Sequence, residues 1–98
     1  MPRPRRRRRV RRRPAADFYK PAGIPKRELE EVNLKVEEVE ALRLKDAEGR
    51  SQEDAADEMD VSQSTFHRIL TSAREKVAEA VTEGMALRIE GGSYEIEE

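Results

Sequence analysis

Residues Ser51 to Ile69 read SQEDAADEMDVSQSTFHRI, a spacing that describes two helices joined by a tight turn. Ala55 and Ala56 fall near the middle of the first helix, where only small side chains let a second helix cross closely. Met59, Val61, Phe66, Ile69 and Leu70 supply the apolar contacts that close the pair, and Asp60-Val61-Ser62 is the turn. Ser62 is a good N-cap, because its hydroxyl can accept from the free amides of the turn that follows. Ser51 can cap the first helix in the same way, with Asp54 three positions on as a weak capping box. Asp60 stands where the backbone turns left-handed; glycine is usual there, and aspartate tolerates the conformation at some cost. Two short helices meeting steeply over such a turn make a helix-turn-helix, whose second helix enters the major groove amino end first. A plain helical hairpin would share the caps and alanines, so the motif depends on its context.

That context is a 98-residue chain, short enough for one domain, with 42% charged and 36% apolar residues. Such a chain buries a limited core, and dimerisation would add to its stability. It has no cysteine, which excludes disulfides and thiolate metal sites. Apolar runs stay far below the ~20 residues of a membrane span, and the basic start lacks the apolar segment of a secretory signal. A cytoplasmic protein is expected.

The net charge of −1 conceals a segregation. Nine arginines, Arg3, Arg5 to Arg9 and Arg11 to Arg13, precede the first acidic residue, Asp17. The rest of the chain holds 11 basic against 21 acidic residues. Residues 1–16 are expected to form a disordered arm, since like charges repel and little apolar surface is available to bury. Arg5, Arg6, Arg7, Arg8 and Arg9 are its candidate contacts to phosphates or to a minor groove. The alternatives are a solvated tail, or one folded back on the acidic body.

Residues 17–98 are expected to be the folded domain. Pro21, Gly23 and Pro25 predict an ordered loop over Ala15 to Lys26, held by Phe18 and Tyr19. Arg27 to Val32 reads as a helical turn or the approach to a strand. Val36, Val39, Leu42 and Leu44 predict a supporting helix from about Val36 to Ala47, ended by Gly49. The second helix of the pair runs long, from Ser62 to about Thr82, with Gly84 as its stop. Its apolar surface exceeds what reading DNA needs, and the surplus is either core or a dimer seam. Ala86 to Ile96 alternates as two short strands around Gly91-Gly92, a hairpin or strands paired elsewhere, for example with Val32 to Leu34.

Off the apolar stripe near the start of the long helix stand Gln63, Ser64, His67 and Arg68. Glutamine pairs bidentately with adenine and arginine with guanine. Ser62, Ser64 and Thr65 can reach phosphate or a base edge, while Thr71, Ser72 and Arg74 lie further along, towards the backbone. Gln52 opens the preceding helix and is a candidate phosphate ligand. Glu53, Asp54, Asp57 and Glu58 must then face away from the DNA. His67 is the only histidine and is read as a surface or DNA-contact residue, not a metal ligand.

The stretches FYKPAGIP, EEVEALRLKDAEGRSQEDAADEMDVSQSTFHRILTSAREKVAEAV and ALRIEGG resemble a family of small uncharacterised prokaryotic proteins regarded as DNA-binding. Their helix-turn-helix is similar to region four of sigma factors, and the arginine-proline start is also typical. Departures are Asp60 in place of glycine and Lys35 in place of a capping serine or threonine. The resemblance implies a mainly α, three-helix helix-turn-helix domain with a long recognition helix and a short C-terminal β-hairpin or strand. It implies sequence-specific DNA binding in transcription control. Some members carry an added cofactor-binding domain, which is not expected in a chain ending at Glu98. The expected partners are double-stranded DNA and a second copy of the chain, with RNA polymerase a further candidate and no membrane. RNA or ribosome binding through the arm, or docking on polymerase as an adaptor, is the alternative. No cofactor, metal or enzymatic activity is expected, since nucleophile–base pairs and phosphate-binding glycine loops are missing.

Overall fold

A computed structural model describes residues 7–97. It contains three helices and five short strands, in the order β1 (Arg8–Val10), β2 (Phe18–Tyr19), β3 (Glu31–Leu34), α1 (Val36–Leu42), α2 (Gln52–Glu58), α3 (Gln63–Glu83), β4 (Ala86–Ile89) and β5 (Tyr94–Ile96). A 3-10 turn at Lys26–Glu28 precedes β3, and α1 runs on into a wider π turn over Arg43–Ala47 before Gly49 turns the chain at φ 72°. The supporting helix thus has the predicted extent.

β3 alternates as its sequence does, with Val32 and Leu34 buried and Glu31 and Asn33 exposed. It pairs in parallel with β4, from Glu31 against Ala86 to Leu34 against Ile89. All three helices therefore lie within one parallel crossover. β2 completes this sheet on the other edge of β4, antiparallel, with Phe18 opposite Arg88. The Phe18 ring has two cations over it, Lys26 Nζ and the Arg88 guanidinium, each 4.7 Å from its centroid. Phe18 thus holds the loop to the body, as expected, whereas Tyr19 pairs its backbone with Leu87 and is itself 52% exposed.

Of the arrangements expected for Ala86 to Ile96, the hairpin does not form, whereas the pairing with Val32 to Leu34 does. β4 is taken by β3 and β2, while β5 pairs in parallel with β1 as a separate two-stranded ribbon, Arg8 against Tyr94 and Val10 against Ile96. Pairing with two different partners satisfies more backbone groups than an isolated hairpin could.

The same ribbon corrects the reading of the arm. Residues 1–16 are not uniformly disordered, because Arg8–Val10 are a strand with Val10 fully buried. Met1–Arg6, and so Arg5 and Arg6, lie outside the described residues. The body captures this segment through the one apolar side chain among the arginines.

Two apolar clusters meet at Leu42. One joins Ala41, Leu44, Ala55, Ala56, Met59, Phe66 and Leu70 between the helices. The other joins Val10, Leu34, Val36, Ala73 and Ile89 beneath the strands. The surplus apolar length of α3 is therefore largely core: Ala73 and Ala80 are buried and Val77 packs on the second cluster, while Val81 stays 73% exposed.

Candidate nucleic-acid interface

The turn between α2 and α3 is built by local hydrogen bonding. The amide of Asp60 donates to Asp57 O at 3.1 Å and that of Val61 to Ala56 O at 3.0 Å. This is the Schellman closure of a helix end, and it puts Asp60 in the left-handed region at φ 56°. Val61 packs on the apolar cluster below, which fixes the exit direction of the chain. Ser62 is then extended, and its Oγ accepts the Thr65 amide at 3.1 Å. Ser51 Oγ accepts the Asp54 amide at 3.0 Å at the head of α2. Both predicted caps are present. Ala55 and Ala56 are buried at the crossing, in contact with the cluster that contains Phe66.

The amino end of α3 is open. Gln63, Ser64, His67, Arg68 and Thr71 are exposed. Arg68 is steadied by donating from Nη2 to Thr65 Oγ1 at 3.3 Å, and Thr65 also receives the Ser62 hydroxyl at 3.0 Å. The first turn of α3 carries no acidic residue, whereas α1 and α2 each carry two there. The free amides and positive dipole end of α3 are thus left uncompensated by carboxylates of their own turn.

Other predicted contacts are engaged elsewhere. Gln52 is half-buried and donates from Nε2 to Gln63 O at 3.3 Å, tying together the starts of α2 and α3. Arg74 grips Asp46 with both ends of its fork, Nε at 3.0 Å and Nη2 at 2.6 Å. That hydrogen bonding holds the Asp46 carboxyl below its ordinary range and raises the Arg74 guanidinium above its own. Arg7 is exposed but Arg8 is buried. Arg9 donates from Nε to Glu58 O at 2.8 Å and from Nη2 to Asp57 O at 2.9 Å, so it closes the carboxyl end of α2. Arg11 donates its amide to Glu40 Oε2 at 2.8 Å and lies 3.3 Å from a Glu58 carboxylate oxygen. The captured part of the arm thus rests on the acidic body.

Not every carboxylate of α2 turns away from α3. Asp57 lines a surface cleft of about 460 Å³ together with Arg8, Ser62, Thr65 and Arg68. Its exposure follows from helical geometry, which brings the last turn of α2 beside the first turn of α3.

Three buried glutamates on α1 escaped the sequence reading. Glu37 accepts the Ser93 amide at 3.0 Å, and Glu40 accepts from Arg43 Nε at 2.7 Å and Nη2 at 2.9 Å. Glu38 accepts from Ser72 Oγ at 2.6 Å, Lys76 Nζ at 2.8 Å and the Lys35 amide at 2.8 Å. Burial pushes the Glu38 carboxyl up, and its three donors outweigh that and hold it below the ordinary range. Glu38 also supplies the helix cap that Lys35 cannot. The EEVE pattern on an otherwise apolar helix was the available signal.

The described residues thus form a small helical fold with short strands, in which Ser51 and Ser62 cap α2 and α3 and the first turn of α3 is exposed. The chain matches the family described as "Protein of unknown function DUF134" over residues 1–97, and it belongs to that family. A UPF0251 protein of Halothermothrix orenii is 57% identical over 96 residues, covering 98% of this chain and 71% of the relative. One from Desulforudis audaxviator is 59% identical over 95 residues, covering 97% of this chain and 62% of the relative. One from a Thermoanaerobacter species is 54% identical over 98 residues, covering 100% of this chain and 87% of the relative. No solved structure matches the chain. Among the described residues, no helix is long and apolar enough to cross a membrane.

Proposed function

We propose that the chain is a cytoplasmic, sequence-specific DNA-binding protein, a transcription regulator with a helix-turn-helix of the sigma region-four kind. The observation that carries the reading is the start of α3: Gln63, Ser64, His67 and Arg68 are exposed on a capped helix end with no carboxylate in its first turn. A helix about 10–12 Å across fits a major groove about 12 Å wide. In this reading Gln63 and Arg68 contact base edges, Ser62, Ser64, His67 and Thr71 contact edges or phosphates, and the arginines ahead of Arg8 follow the backbone. No reaction or cofactor is assigned. A homodimer would set two α3 starts on a palindromic site about one helical turn apart.

RNA binding through the arm has less support, because Arg9 and Arg11 are engaged by the chain's own carbonyls and carboxylates. Docking on RNA polymerase has no particular observation in its favour. Selection of bound fragments from a random duplex pool tests the proposal. Enrichment of one short motif, lost in Gln63→Ala and Arg68→Ala, is the expected result. Recovery of unrelated sequences, or preference for structured RNA in competition, would overturn it.

A further inference from the structure

The sequence expectation counts Arg9 among the phosphate contacts, but its side chain is directed to the end of α2. We infer that Arg9 is a positioning residue: it docks the root of the arginine arm on the carboxyl end of α2 and so sets where the arm meets DNA. This rests on the reading proposed above.

Three bonds converge on the same helix end. The Arg9 amide donates to Met59 O at 2.9 Å, Nε to Glu58 O at 2.8 Å and Nη2 to Asp57 O at 2.9 Å. These carbonyls end α2, where partial negative charge collects, and a planar fork can bridge two of them. Glu97 adds an ion pair, its Oε2 3.8 Å from Nε. Val10 is buried next to it, and Glu97 returns its amide to Val10 O at 2.8 Å. The neighbouring Arg8 lines the clefts that Thr65 and Arg68 also line, at the start of α3. By chain connectivity, everything ahead of Arg8 joins the body there. The docked strand therefore fixes the point at which the chain ahead of Arg8 leaves the body, on the flank of the surface that carries Gln63 and Arg68.

A charge-matched set of variants separates positioning from phosphate contact. The chain has no cysteine, so Pro4→Cys offers a single site for a DNA-cleaving iron chelate. With the parent bound to its selected site, cuts should cluster within about one helical turn beside the motif. Arg9→Lys keeps the charge but not the fork, and Arg9→Gln removes both. Each should broaden the cut window about 1.2-fold, since Val10 stays in the core, the tether to the chelate grows from about four residues to about six, and reach scales with the square root of length. Arg7→Gln should leave the window unchanged while lowering the salt slope by about 0.9. Circular dichroism melts identify variants that keep the fold, and Arg9→Lys is the milder of the two. Unaltered windows in both folded Arg9 variants overturn the positioning role alone. A parent that binds no duplex DNA overturns it together with the reading on which it rests.

Discussion

Glu37 closes so tightly over Gly92 that a Cβ added there would meet its Oε1 at 2.0 Å. The same oxygen accepts the Ser93 amide at 3.0 Å, and Gly92 itself has φ 112°. The contact seats the start of β5, and β5 in turn seats β1. Gly92→Ala should therefore cost about 1–3 kcal/mol, from backbone strain and from displacing Glu37. Hydrogen exchange should show protection falling first at Arg8–Val10 and Tyr94–Ile96. Loss confined to residues around Gly92 would contradict the link between the two strands.

Glu38 makes stability depend on pH with a defined sign. Its folded carboxyl titrates below the unfolded value of about 4.3, so its contribution is present above that pH and is lost as pH falls through the folded value. Urea midpoints should fall between pH 5 and pH 3, and Glu38→Gln should flatten that fall while lowering stability at pH 7. An unchanged slope in the variant would assign the acid sensitivity to other carboxylates.

Ala56 is 1% exposed in the core cluster where the helices cross. Ala56→Leu should destabilise by about 1–3 kcal/mol through overpacking. A melting curve superimposable on the parent's would show that the helices do not depend on close approach there.

Arg68 and the arm should fail in different ways. Arg68→Ala should relax preference at one base pair by about 1–3 kcal/mol. Removing residues 1–7 should instead weaken binding to every sequence and flatten the salt dependence. The cut belongs before Arg8, because Val10 is core and a longer deletion would disturb the fold. Titrations against matched and mismatched duplexes at several salt concentrations distinguish the two.

Asp57 shares a cleft with Ser62, Thr65 and Arg68, next to where phosphate would pass. Asp57→Asn should tighten binding to all duplexes about two- to threefold, the value of one like-charge repulsion several ångströms away in water. Weaker binding by the variant would mean that the carboxylate orients Arg68 instead of opposing DNA.

The helices and their ends were legible from residues close in sequence. Ser51, Ser62 and Gly84 act on amides or carbonyls within a turn or two, so their types and spacing were enough to locate α2 and α3. The same holds for the left-handed Asp60 and for Gln63 and Arg68, which the helical period turns outward. The pairing of Arg8–Val10 with Tyr94–Ile96 had no local signal, because it joins opposite ends of the chain. Only the tertiary structure decided that Val10 is core, that Arg9 closes α2 and that Asp46 occupies Arg74. Strand partners and ion pairs of this kind depend on which surfaces the packed helices bring within about 3 Å, a distance that short-range periodicity does not encode.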